Sequence, residues 1–256
     1  MPARSKALGA RRALLLLALA VLAPAGCKRP EAVEPAGPPP LAYQLLYTAE
    51  AKPGDRLPMI VALHGLGDTP ARFATLFAGF PEPARVVVPE APRPARNGGR
   101  SWFGIRFPGG APRLREAQLV ASAERVAALV ERLSRELPTE GRPRLCGFSQ
   151  GGALALLLAW LRPELWDRVV PVAGYLPEGL LPRGPPAAGA PRPPIRALHG
   201  QADPVVPFAL DRGTVEKLAG LGHDARLEAF PEVVHTIAPA VHARLFELLR
   251  GEAPRL

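Results

Sequence analysis

The pentapeptide Gly147-Phe148-Ser149-Gln150-Gly151 sits where a short extendable stretch gives way to a helix-forming one. No other feature constrains the fold as tightly. Arg142–Cys146 ahead of it can be extended, and Ala153–Trp160 behind it is rich in good helix formers. A serine flanked by glycines at a strand-to-helix turn has the pattern of a nucleophile elbow. The turn leaves room only for small neighbours, and it lifts the hydroxyl clear at the top of a sheet.

The rest of the chain supplies the sheet. Met59–Leu63, Arg85–Val88, Arg168–Ala173, Ile195–Leu198 and Arg226–Phe230 are short apolar runs ended by turn formers, which reads as buried strands. Helical spacing falls between and after them, over Glu116–Leu137, Gly152–Leu161, Phe208–Leu221 and Pro239–Leu249. This alternation predicts an α/β fold with a mostly parallel sheet and helices on both faces. A hydrophobic content of 48% is ample for such a core. Residues 41–256 are expected to form one domain, without internal repeats. Two long stretches, Pro92–Pro112 and Leu176–Pro194, read as structureless loops of the kind that form lids, pocket walls or insertions.

The first 27 residues are not expected to belong to the fold. Arg4, Lys6, Arg11 and Arg12 precede an apolar run, Ala13–Ala23, that is too short to span a bilayer as a helix. This is the layout of a bacterial secretory signal. Its ending, Ala25-Gly26-Cys27, resembles a lipobox, although Pro24 stands where such motifs usually carry Leu. Cys27 is then a candidate lipidation site, and plain export after a nearby cleavage is the alternative. Residues 28–40 are rich in proline and read as a semi-rigid stalk. The expected location is the bacterial cell envelope, with membrane association through the lipidated N-terminus. The only other cysteine, Cys146, reads as a buried core residue, so no disulfide framework is expected.

Net charge is +9 and the pI is near 10.5. Subtracting the four basic residues of the leader from +9 leaves about +5, and the chain carries no nucleic-acid recognition motif. Nucleic acid is therefore not an expected partner. Arg93, Arg96, Arg100 and Arg106 read as a solvated face, with attraction of anionic substrates as the alternative.

A serine hydroxyl is a poor nucleophile near neutral pH and needs a base, which in turn needs an orienting acid. Asp203 lies on a turn just after the strand Ile195–Leu198, where an acid member belongs. Asp211 and Asp224 fall within and after the next helix and read as solvated. His235 lies between the last strand and the last helix, whereas His223 sits at the wrong end of a strand and His242 within a helix. The order Ser149, Asp203, His235 is that of the α/β-hydrolases. The loop His64-Gly65-Leu66-Gly67-Asp68 follows the strand Met59–Leu63. Its Leu66 N–H, together with that of Gln150, can form an oxyanion hole. His64 reads as a loop-structuring residue.

Leu63–Asp68, Ser101–Phe103, Gly147–Gly152, Gly174–Pro177, His199–Pro207 and His235–Ile237 together resemble the phospholipase/carboxylesterase family. The resemblance spans roughly Leu41 to Leu249. It implies an α/β-hydrolase fold and cleavage of small-molecule acyl esters without metal or other cofactor. It assigns Ser149 as nucleophile, Asp203 as acid, His235 as base, and Leu66 with Gln150 as oxyanion donors. Trp102 and Phe103 are candidate pocket residues. Val234 stands before His235 where the family usually has Gly. The expected activity is that of a serine esterase working through an acyl-enzyme. The alternatives are an acyl thioesterase and a catalytically impaired lipoprotein that kept the scaffold as a binding module. Oligomeric state is left open.

Overall fold

The computed structural model describes residues 39–96, 98–106 and 113–250. The leader with Cys27 and nearly all of the stalk lie outside the described residues. From Pro40 onward the chain forms one compact unit.

Seven strands make the central sheet: β1 (Tyr43–Thr48), β2 (Met59–Leu63), β3 (Ala84–Pro89), β8 (Arg144–Phe148), β9 (Arg168–Val172), β10 (Ile195–Gly200) and β11 (Ala225–Phe230). Their spatial order is β1-β3-β2-β8-β9-β10-β11. Every neighbouring pair is parallel except β1 with β3, which runs antiparallel from Tyr43↔Pro89 to Thr48↔Ala84. The helices are α1 (Pro70–Ala74), α2 (Glu116–Glu136), α3 (Gln150–Leu161), α4 (Phe208–Gly220) and α5 (Pro239–Arg250).

Side-chain alternation along the strands explains why they read as unbroken apolar runs. Met59, Val61 and Leu63 of β2 face one core, shared with α2, α3 and α4. Ile60 and Ala62 face a second core with Phe73, Phe77 and Phe80 on one side and Val241, Leu245 and Leu248 of α5 on the other. A strand covered on both faces has no polar side to show. α2 buries Leu119, Ala123, Val126, Val130 and Leu133 at helical spacing and turns its charges outward. α3 is different: residues 150–159 are all buried, so it lies inside the layers with no polar face. Cys146 of β8 is fully buried, and burial pushes its thiol up from the ordinary range, which keeps it unreactive.

Three elements depart from the sequence expectation. β1 is a half-exposed edge strand without clean alternation. α1 is only five residues long, started by Thr69, whose side chain accepts from Arg72 N–H, and by Pro70. The stretch expected to be structureless from Pro92 holds two short antiparallel ladders, β4 (Arg93–Pro94) with β5 (Arg100–Ser101) and β6 (Ile105–Arg106) with β7 (Arg113–Leu114). By contrast, Leu176–Pro194 is irregular apart from one 3₁₀ turn at Glu178–Leu180.

Leu119→Ala, which truncates a fully buried side chain of the core that α2 covers, is expected to cost about 2–5 kcal/mol of stability in urea unfolding. Leu210→Ala, at a position 38% exposed on α4, is expected to stay within about 1 kcal/mol.

Candidate active site

Ser149 joins β8 to α3 with φ 55 and ψ −112, a left-handed conformation that costs a non-glycine residue energy. Its neighbours hold it there. Ser149 N–H donates to the Val172 carbonyl at 2.9 Å, and its own carbonyl accepts from Ala153 N–H at 2.9 Å. The flanking glycines are forced by close approach. A Cβ on Gly147 would lie 2.2 Å from the Gly151 carbonyl oxygen, and one on Gly151 would lie 2.0 Å from that of Leu63.

Two loops at the same edge of the sheet meet the serine. His235, between β11 and α5, places Nε2 2.9 Å from Ser149 Oγ and Nδ1 2.6 Å from Asp203 Oδ2. Its ring packs on Phe148 with centroids 4.9 Å apart. Asp203, just past β10, receives Val205 N–H and Val206 N–H on Oδ1 at 2.8 and 2.9 Å. Burial works to raise its carboxyl. The hydrogen bond from His235 and those two backbone donors outweigh burial and hold it below the usual carboxylate range. An ionised Asp203 can only accept, so His235 carries its proton on Nδ1 and offers Nε2 to the serine O–H.

The strand-end loop after β2 completes the edge. Leu66 and Gln150 line one cleft of about 420 Å³ with Ser149 and His235, walled by Ile105, Leu114, Phe148, Tyr175 and Val206. Gln150 opens α3, so its N–H has no intrahelical acceptor and sits at the positive end of the helix dipole. His64 is buried and locks the loop: Nδ1 donates to the Gly65 carbonyl at 2.8 Å while Nε2 accepts from Ala91 N–H at 3.3 Å. Burial lowers its pKa, which suits that neutral tautomer.

Trp102 and Phe103 do not line the cleft. Both are buried in the core, and what they do is structural. Trp102 Nε1 donates to the His64 carbonyl at 2.9 Å. The Gln150 side chain clamps the same segment, accepting from Trp102 N–H at 2.9 Å and donating to the Phe103 carbonyl at 2.7 Å. Arg93 and Arg100 are likewise fasteners, donating to the Trp102 and Ala91 carbonyls at 2.8 Å each. The second long loop, Leu176–Pro194, walls a separate cleft of about 450 Å³ with Trp160 and His223. Asp211 corrects the sequence reading most sharply. It is fully buried on α4, 2.7 Å from His199 Nδ1. Among the described residues, no group of three His, Cys, Asp or Glu side chains could hold a metal ion.

A model of the phospholipase/carboxylesterase family matches residues 49–249. The chain belongs to that family. It is accordingly a carboxylic ester hydrolase with the α/β-hydrolase fold. It is 28% identical over 193 residues to the carboxylesterase SOBER1 of Arabidopsis thaliana, covering 70% of this chain and 83% of that one. A rice protein (Oryza sativa subsp. japonica) named a probable inactive carboxylesterase is 28% identical over 193 residues, covering 70% and 78%. Among solved structures, esterase PE8 superposes with a TM-score of 0.67 at 27% identity, covering 84% of this chain and all of that one. Family membership thus accounts for the fold, and the geometry above shows what this chain keeps of a site.

The backbone strain at Ser149 is measurable. Ser149→Gly is expected to be more stable than Ser149→Ala, which keeps the left-handed strain, by about 0.5–2 kcal/mol in denaturant unfolding. That figure sets strain relief against the extra freedom of the unfolded glycine chain.

Proposed function

We propose that this esterase works by two-step acyl transfer through a Ser149–His235–Asp203 triad. The observation that carries the proposal is the unbroken hydrogen-bonded chain from Ser149 Oγ to Asp203 at the wall of the cleft. As Oγ attacks the ester carbonyl, His235 Nε2 takes its proton, and the Leu66 and Gln150 N–H groups receive the developing oxyanion. The alcohol then leaves with the proton from His235. Water, activated by the same imidazole, releases the acid and restores the serine. Asp203 fixes the tautomer of His235 and steadies its cationic form. Apolar walls from Ile105, Leu114, Phe148 and Val206 favour a hydrocarbon acyl group over a charged one.

The test is hydrolysis of p-nitrophenyl esters from acetate to palmitate by the full-length chain, beside Ser149→Ala and His235→Ala. Each substitution is expected to lower kcat at least about a thousand-fold. Because His235 must be neutral to accept the serine proton, kcat/KM should fall in acid. A folded wild-type protein that turns over none of these esters would overturn the reading. It would favour the impaired binding module.

The N-terminal pattern supports a second part of the proposal, export to the cell envelope and anchoring by a lipid on Cys27. Cys27→Ser is expected to move the protein from the membrane pellet to the soluble fraction. An unchanged distribution would rule out this anchor.

A further inference from the structure

His199 ends β10 next to the turn that carries Asp203, and Asp211 lies in the first turn of α4. Neither residue lines the cleft. Both side chains are fully buried, and the imidazole packs T-shaped against Phe208 with centroids 5.7 Å apart. The two ring nitrogens meet only acceptors. Nε2 lies 3.0 Å from the Val206 carbonyl and 3.3 Å from Asp203 Oδ2, and Nδ1 lies 2.7 Å from Asp211 Oδ2. Nε2 therefore carries a proton, and a second proton sits between Nδ1 and the Asp211 carboxylate. Asp203 Oδ2 is thus approached by two imidazoles, His235 Nδ1 at 2.6 Å and His199 Nε2 at 3.3 Å.

Such a pair is expensive to bury, and Asp211 Oδ1 has no hydrogen-bond partner among the described residues. Packing alone would be served better by apolar side chains. Resting on the triad reading, we propose that His199 and Asp211 are positioning residues for Asp203. In this arrangement Asp211 keeps His199 cationic, and the buried cation holds Asp203 Oδ2 in place and draws off part of the negative charge that it presents to His235.

The ionic environment is consistent with that arrangement. Burial works to lower the His199 pKa, but the hydrogen bond and charge of Asp211, the Val206 carbonyl and the charge of Asp203 together raise it. Burial pushes the Asp211 carboxyl up to about 6 against the opposing pull of His199. The ionisable groups that act on the pair are Asp211 from α4 and Asp203 from the turn after β10. Asp203 in turn meets His235 from the loop after β11.

Asp211→Asn separates charge from shape. The amide N–H can donate to His199 Nδ1, which leaves the ring neutral with Nε2–H still in place. Asp203 then acts on His235 with less compensation, and the proton affinity of His235 rises. The expected result is an upward shift, on the order of half a unit or more, in both the acid limb of kcat/KM and the NMR titration of the His235 ring. A folded Asp211→Asn protein with neither shift would overturn the proposal and assign the pair a purely structural role. Nitrogen NMR of the wild-type histidines tests the same point if that variant does not fold. Both ring nitrogens of His199 should be protonated near neutral pH, and a bare Nδ1 would overturn the proposal. Failure of the triad reading would show itself separately, as turnover that survives Ser149→Ala.

Discussion

The approach of α3 to the carbonyl end of β2 governs where everything else in the site can lie. Gly151 touches the Leu63 backbone so closely that no side chain fits between them. That contact fixes three things at once. It sets the first turn of a buried helix under the cleft, leaves the Gln150 N–H pointing away from its own helix, and puts the serine at the strained bend just before it. The loop after β2 leaves the same contact in the other direction. Ser149 and the loop after β2 are therefore positioned by one packing event. The energy that holds Ser149 in its left-handed conformation comes from the layers on either side, where α3 is buried along almost its whole length.

The parts of this arrangement that were legible in the sequence share a physical reason. β2, β3, β8, β9 and β10 are covered on both faces, so burial writes itself as a continuous apolar run. α2 shows one face to solvent, so its pattern has a clear period. Ser149, Asp203 and His235 could be picked out because each lies on a turn at the same end of a strand, and turn chemistry is local. β1 was not legible, since an edge strand held by six cross-strand pairs to β3 needs no distinctive composition. α1 was too short to show a period.

The misread residues have the opposite character, because their roles depend on what lies across the fold. Asp211 in a helix looks like any solvated carboxylate until α4 is laid against β10. Trp102 and Phe103 sit in a loop that looked like a pocket wall. Their partners, the His64 carbonyl and the Gln150 side chain, come from elements 38 and 47 or more positions away. Arg93 and Arg100 looked like surface charge, yet each spends its guanidinium on a backbone carbonyl of its own loop. A polar residue whose hydrogen bonds close over long sequence distances leaves no local trace.

The Gln150 clamp has an evolutionary side. One residue contributes its backbone to the first turn of α3 beside Ser149 and its side chain to the segment behind it, so a substitution that removes the amide side chain loosens the Trp102–Phe103 segment from the start of that helix. Ile105 and Leu114 are in a different position. They face each other across the two-residue ladder of β6 and β7 and wall the cleft, with no hydrogen bond to the Ser149–His235–Asp203 chain. Exchange at that cross-strand pair can reshape the cleft while the hydrogen-bonded chain stays as it is. Drift in substrate range among descendants of this chain has its least obstructed path there.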